Sequence, residues 1–195
     1  MFIAFEGIDG SGKSTQAKML FEYLHKKGKC IFTHEPTDGA TGRFIKELLG
    51  GEHSIDQMAL QLLFVSDRAE HVNGLILPKI KEGYSVVTDR YMFSSIAYGA
   101  ASGVDAEWLR KVSGKFPLPD ATFVCDVDPE IAVQRIGKRN DKKESVAYFE
   151  KLSFLSSARS EFRSMSGLYK NYYVVDSSGT VEEIHSNIIR IVNSL

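Results

Sequence analysis

From Gly7 to Thr15 the chain reads Gly-Ile-Asp-Gly-Ser-Gly-Lys-Ser-Thr, so that Gly7, Gly12, Lys13 and Ser14 fall at the spacing Gly-x-x-x-x-Gly-Lys-Ser. These residue types suit polyphosphate chemistry. The glycines let the backbone wind tightly and turn its N–H groups inward as a nest for phosphate oxygens. A helix starting at the end of the loop adds unpaired N–H groups and the positive end of its dipole. Lys13 supplies a movable charge for β- and γ-phosphates, and Ser14 a hydroxyl for Mg²⁺. A chance match in a glycine-rich turn is the competing reading. It lacks the context present here: an apolar strand over Phe2–Phe5 before the loop and a helical run after it. Gly7, Ile8, Asp9, Gly10, Ser11, Gly12, Lys13, Ser14 and Thr15 therefore form a candidate nucleoside triphosphate site.

A second set of polar residues points to a second anion. Arg90 follows Asp89 directly, Arg43 and Arg68 can approach the same cleft, and the stretch after Arg135 is basic, with Lys138, Arg139, Lys142 and Lys143. A surplus of positive charge fits phosphoryl transfer between two polyanions, where both substrates and the transferring group need neutralisation. Each residue also has a plainer reading. Asp89 and Arg90 would serve as an ion pair at a strand end, Phe64 as a core aromatic, and Lys142 and Lys143 as a solvated face. No Asn-Lys-x-Asp guanine reader occurs in the chain, which argues against a switch GTPase.

The elements that must hold these groups follow from periodicity. Short apolar runs at Phe2–Phe5, Cys30–Thr33, Tyr84–Asp89, Ala121–Asp126 and Tyr172–Asp176 read as strands. Helical spacing fills Gln16–Lys27, with Gly28 as its cap, then Arg43–Leu49, Ile55–Val72, Leu75–Lys81, Phe93–Ala101 and Asp105–Phe116. It continues through a helix opened by Asp128-Pro129-Glu130, then Val146 to about Met165, and Val181–Val192. Thr37–Gly42 reads as a loop. Strands alternating with helices specify right-handed crossovers and a parallel sheet covered on both faces. Ligands then bind at the carboxyl ends of the strands, which is where the phosphate loop, His34-Glu35-Pro36, Asp89-Arg90 and Asp126 fall. On the long helix, Leu60, Phe64 and Arg68 at i, i+4 and i+8 share one face.

The 195 residues read as a single domain, 1–195. With 24 basic against 25 acidic residues the formal charge is −1, which argues against a nucleic-acid scaffold held by a general basic field. The two cysteines, Cys30 and Cys125, lie in apolar runs and read as buried free thiols. No apolar run approaches membrane-spanning length, so a cytoplasmic protein is expected.

Taken together, Phe5-Glu-Gly-Ile-Asp-Gly-Ser-Gly-Lys-Ser-Thr15, Glu35-Pro36, Leu63-Phe-Val-Ser-Asp-Arg-Ala-Glu-His71, Asp89-Arg-Tyr91 and Ser94-Ser-Ile-Ala-Tyr98 resemble the thymidylate kinase family over nearly the whole chain. The resemblance implies a P-loop kinase fold with strand order 2-3-1-4-5, a short basic lid near residues 136–146, and a homodimer, for which the Ile55–Val72 helix is a candidate surface. It implies transfer of the γ-phosphoryl group of ATP to dTMP, with Mg²⁺ held by Ser14 and Asp89. On the acceptor side it implies that Phe64 stacks on thymine, Arg68 bonds a base carbonyl and Arg90 clamps the dTMP phosphate. Asp9 reaches the 3′-hydroxyl region, Tyr98 closes against the sugar, Ser94 and Ser95 contact the thymine edge, and Glu35-Pro36 completes the site. Some relatives carry a catalytic arginine in the phosphate loop, but here its variable residues are Ile8, Asp9, Gly10 and Ser11. Lys13 and Arg90 then share catalysis with a lid arginine, Arg139 first and Arg135 second. Two residues depart from the common pattern on the acceptor side: His34 stands where arginine is usual, and Gly99 where glutamine is. Another nucleotide kinase with the same scaffold, or a regulatory protein that has kept the loop without the chemistry, would be the alternatives.

Overall fold

The computed structural model describes residues 1–51, 54–137 and 145–195, with residues 145–150 described as backbone alone. The expected lid arginine, Arg139, and its basic neighbours Lys138, Lys142 and Lys143 lie outside the described residues. Five strands form one parallel sheet: β1 (Phe2–Glu6), β2 (Cys30–His34), β3 (Ser85–Asp89), β4 (Ala121–Asp126) and β5 (Tyr172–Asp176). Their order is β2-β3-β1-β4-β5, as the resemblance implied. Side chains alternate across a strand, and both sheet faces are covered, so β1 is buried throughout. Phe2 and Ala4 enter one core while Ile3 and Phe5 enter the other.

Helices α1 (Lys13–His25) and α9 (Val181–Val192) close one face through Ala17, Leu20, Leu24, Ile184, Ile188 and Val192. Between them in sequence come α2 (Ala40–Leu49), α3 (Gln57–His71), α4 (Leu77–Lys81), α5 (Met92–Ala101), α6 (Ala106–Ser113), α7 (Pro129–Gly137) and α8 (Ser145–Ser164). The core on the other face draws chiefly on α5 and α8, with Phe93, Ile96, Ala97, Leu155, Ala158 and Phe162. Asp56, Asp105 and Thr180 cap α3, α6 and α9 through their side chains.

Several boundaries differ from the periodicity reading. The stretch Thr37–Gly42 is not all loop, because α2 already begins at Ala40. Gly42 is a packing glycine: a Cβ there would stand 2.2 Å from the Thr37 carbonyl oxygen. A π-helical turn over Val72–Ile76 links α3 to α4. Pro78 accounts for its position, since proline cannot donate the hydrogen bond that the carbonyl of Gly74 would accept in a regular helix. The first helix stops at His25, with the Gly28 N–H closing back on the Leu24 carbonyl. The sixth stops at Ser113, ahead of Pro117.

Candidate active site

Strand register brings the expected groups to one edge. Phe5 pairs with Asp89, and Asp89 with His34, so β1, β3 and β2 end side by side beneath the phosphate loop. The loop's shape is fixed by its backbone. Gly7 and Gly10 have φ of 129° and 82°, and a Cβ at these positions would lie 2.5 Å from the Cys125 carbonyl oxygen and 2.4 Å from that of Ala132. Only glycine satisfies both demands. Gly12, also left-handed, precedes α1, whose first residues are Lys13 and Ser14. Lys13 is buried, and that burial, with repulsion from Arg90, draws its ammonium below the ordinary range. The Ser11 hydroxyl is buried with no hydrogen-bond partner among the described residues, and so is the Oδ1 of Asp89. Ser14 lies exposed at the start of the helix.

Arg90 joins this loop to the next region. Its φ of 73° is left-handed, an uncommon conformation for a long side chain and one that concentrates at functional sites. The guanidinium donates to the Gly7 carbonyl at 3.3 Å, to the Ser94 Oγ at 2.8 Å and to the Asp9 carboxylate. Burial alone would raise the Asp9 carboxyl, but Arg90 and Lys13 together hold it below its usual value. The Tyr98 hydroxyl accepts from the Asp9 N–H at 2.9 Å, while its ring faces Arg90 at 5.0 Å.

A cavity of about 740 Å³ opens beside Asp9 and Arg90, and most of its wall surface is apolar although many polar residues line it. Pro36, Phe64, Arg68, Ser94, Ser95 and Tyr98, all expected around an acceptor, line it. Arg68 is 1% exposed. It pairs with Glu35 at 2.8 Å, donates to the Tyr91 carbonyl and the Ser95 Oγ, and packs on the Tyr91 and Phe116 rings. Its Nη1 is left without a partner among the described residues. A buried guanidinium with one nitrogen uncommitted is a ready site for a carbonyl. Ser94 is committed differently: its hydroxyl donates to Glu6 and accepts from Arg90. Its position supports the guanidinium.

Some expected members lie elsewhere. Arg43 is exposed and donates to the Asp38 carbonyl, away from the cavity. Asp126 is held by Arg159 at 2.7 Å and Arg163 at 2.8 Å, so the β4 end anchors α8. His34 donates from Nδ1 to the Pro36 carbonyl at 2.9 Å, outside the cavity lining. Arg135, on α7, reaches the phosphate loop, donating to the Gly10 carbonyl at 3.4 Å and that of Ser177 at 3.1 Å.

Three supporting residues escaped the sequence reading. Glu6, fully buried, accepts from the N–H groups of Tyr91, Phe93 and Ser94 at the start of α5. Burial pushes its carboxyl up to about 7, against the pull of Ser94 and Arg90. His71 bonds Glu35 at 3.0 Å and the Thr33 hydroxyl at 2.7 Å. Gln61, 2% exposed, lines the cavity. Each left a faint signal: a carboxylate ending an apolar strand, and polar residues at helical spacing from Phe64 and Arg68.

A glycine-cradled phosphate loop at the carboxyl edge of a 2-3-1-4-5 parallel sheet defines a P-loop phosphotransferase scaffold. The comparisons narrow this. The thymidylate kinase family profile matches residues 5–188. A probable thymidylate kinase of Pyrococcus abyssi is 37% identical over 198 residues, covering 98% of this chain and 95% of the relative. One of Methanocaldococcus jannaschii is 38% identical, covering 100% and 97%. The crystal structure of a thymidylate kinase from Ehrlichia chaffeensis superposes with a TM-score of 0.81 at 26% identity, covering 99% of this chain and 98% of that one. The chain belongs to the thymidylate kinase family.

Proposed function

We propose that this protein, as one catalytic unit over residues 1–195, transfers the γ-phosphoryl group of ATP to the phosphate of dTMP, giving dTDP and ADP. The observation that carries the reading is the junction at Arg90: one guanidinium bonds both the phosphate loop and the wall of an apolar cavity whose buried Arg68 keeps a free donor. Loop N–H groups and Lys13 hold the triphosphate. Phe64 stacks on the base, Arg68 bonds its carbonyl, and Glu35, Pro36, Ser95 and Tyr98 shape the site. Asp9 and Arg90 hold the sugar and the acceptor phosphate in line. That phosphate is already an anionic nucleophile, so positioning and charge neutralisation carry the reaction without a general base. Arg139, with Arg135 beside the loop, neutralises the transferring group.

The orphaned Oδ1 of Asp89 and the exposed Ser14 hydroxyl fit Mg²⁺, which takes one or two protein oxygens and completes its shell with phosphate and water. When bound, it offsets charge on the β- and γ-oxygens. Exposed Phe44, Met58 and Leu62 on α2 and α3 support a homodimer through these helices. Among the described residues no helix is long and apolar enough to cross a membrane. Free buried Cys30 and Cys125 support a reducing, cytoplasmic setting, and the balance of 24 basic against 25 acidic residues speaks against a nucleic-acid partner. An ADP-release assay with dTMP, dUMP, dCMP and AMP tests the function. Turnover greatest with dTMP is expected, and turnover with another acceptor alone, or with none, overturns it.

A further inference from the structure

Gln61, Phe64 and Arg68 lie at i, i+3 and i+7 on α3 and line the same cavity. Two of the three carry a buried polar atom with no hydrogen-bond partner among the described residues: the Nη1 of Arg68, a donor, and the Oε1 of Gln61, an acceptor. Buried polar groups are costly to leave unsatisfied, so such a pair in a ligand cavity marks atoms that the ligand completes. Gly99 gives Gln61 its place. A Cβ at Gly99 would stand 3.1 Å from Gln61 Cδ, 3.2 Å from its Cγ and 2.7 Å from Leu109 Cδ1. A larger residue at 99 would drive the carboxamide out of the position it occupies.

We infer that Gln61 is a further base-binding residue of the acceptor site, its carboxamide oxygen accepting the N3–H of thymine while Arg68 donates to the 4-carbonyl. The inference rests on the dTMP reading above. An acceptor and a donor on the same cavity wall are the complement of the thymine edge. Cytosine presents the reverse, an N4 donor to Arg68 and an N3 acceptor to the Gln61 oxygen. Turning the carboxamide over would satisfy cytosine N3, but Arg68 has no acceptor to offer N4. Arg68 therefore sets the polarity of the edge, and Gln61 completes it.

Gln61→Met keeps the length and the packing against Gly99 and Leu109 while removing the polar end. Calorimetry should show dTMP binding weakened about ten- to a hundredfold, with a matching loss in kcat/KM and an unchanged KM for ATP. The dTMP-to-dCMP ratio should change little, because the carboxamide can turn over for either base and Arg68 sets the choice. N3-methyl-dTMP, which lacks the donor, should bind the unaltered protein at least about tenfold more weakly than dTMP. A Gln61→Met protein that binds dTMP as tightly as its parent overturns the inference. So does an unaltered protein that accepts N3-methyl-dTMP as well as dTMP, a result that needs no variant to fold. If the unaltered protein neither binds nor phosphorylates dTMP, the proposed function itself falls; normal dTMP turnover with an indifferent Gln61→Met sinks the inference alone.

Discussion

The phosphate loop and the cavity beside it are built by opposite means. The loop is contiguous and made of backbone: left-handed glycines and a helix start, all within Gly7–Thr15. The cavity is made of side chains from α2, α3, α5, α8, the phosphate loop and the turns that follow β2 and β3, and a buried polar network orients them. Glu35 holds Arg68 and His71, while Glu6 holds Ser94 and the start of α5. A backbone site depends on local conformation, whereas a side-chain site depends on residues the ligand never touches. Tolerance to substitution should differ accordingly.

The largest effect should come from Glu35→Ala. It leaves the buried Arg68 charge without its partner and should cost about 3–5 kcal/mol of stability by urea unfolding. ATP binding to the folded protein should be kept while the KM for dTMP rises more than tenfold. Equal damage to both would break the contrast between the two halves. Next is Glu6, whose carboxyl titrates near 7 in the folded protein against 4.5 ordinarily. Between those values the folded chain keeps a proton that the unfolded chain has lost. The resulting stability is full below pH 4.5 and is lost as pH rises through 7, about 3 kcal/mol in all. Glu6→Gln should flatten the fall in unfolding free energy between pH 5 and pH 8; an unchanged slope would remove Glu6 as its source.

Arg139→Ala should lower kcat by at least about a hundredfold with little change in ATP binding. Unchanged turnover would return the transition-state charge to Arg135, Lys13 and Arg90. The smallest effect is expected from Phe64→Ala, which should raise the KM for dTMP about tenfold through lost stacking. A change in the KM for ATP instead would mean that the two halves share this residue.

How much could be read beforehand follows the same division. The five strands and the phosphate loop were legible because each depends on neighbours in sequence, whereas His34 and Asp126 at the strand ends lie outside the cavity. Arg68 was legible as a charge on the Phe64 face, but its Glu35 partner lies 33 positions away. Ser94 was expected at the base, whereas its hydroxyl is taken up by Glu6 and Arg90, 88 positions back and 4 positions back. Arg43 looked equivalent to Arg68 in sequence and sits outside the cavity, because α2 begins at Ala40 and turns it toward Asp38.

By itself, the sequence determined the class of chemistry: glycine spacing sets backbone conformation, and alternation of strand and helix periods sets a parallel sheet. Only the tertiary structure decided which polar side chains remain available to a substrate. That outcome depends on which donors and acceptors are already spent on one another, and partners such as Glu6 and Ser94, or Gln61 and Gly99, meet only when distant segments pack.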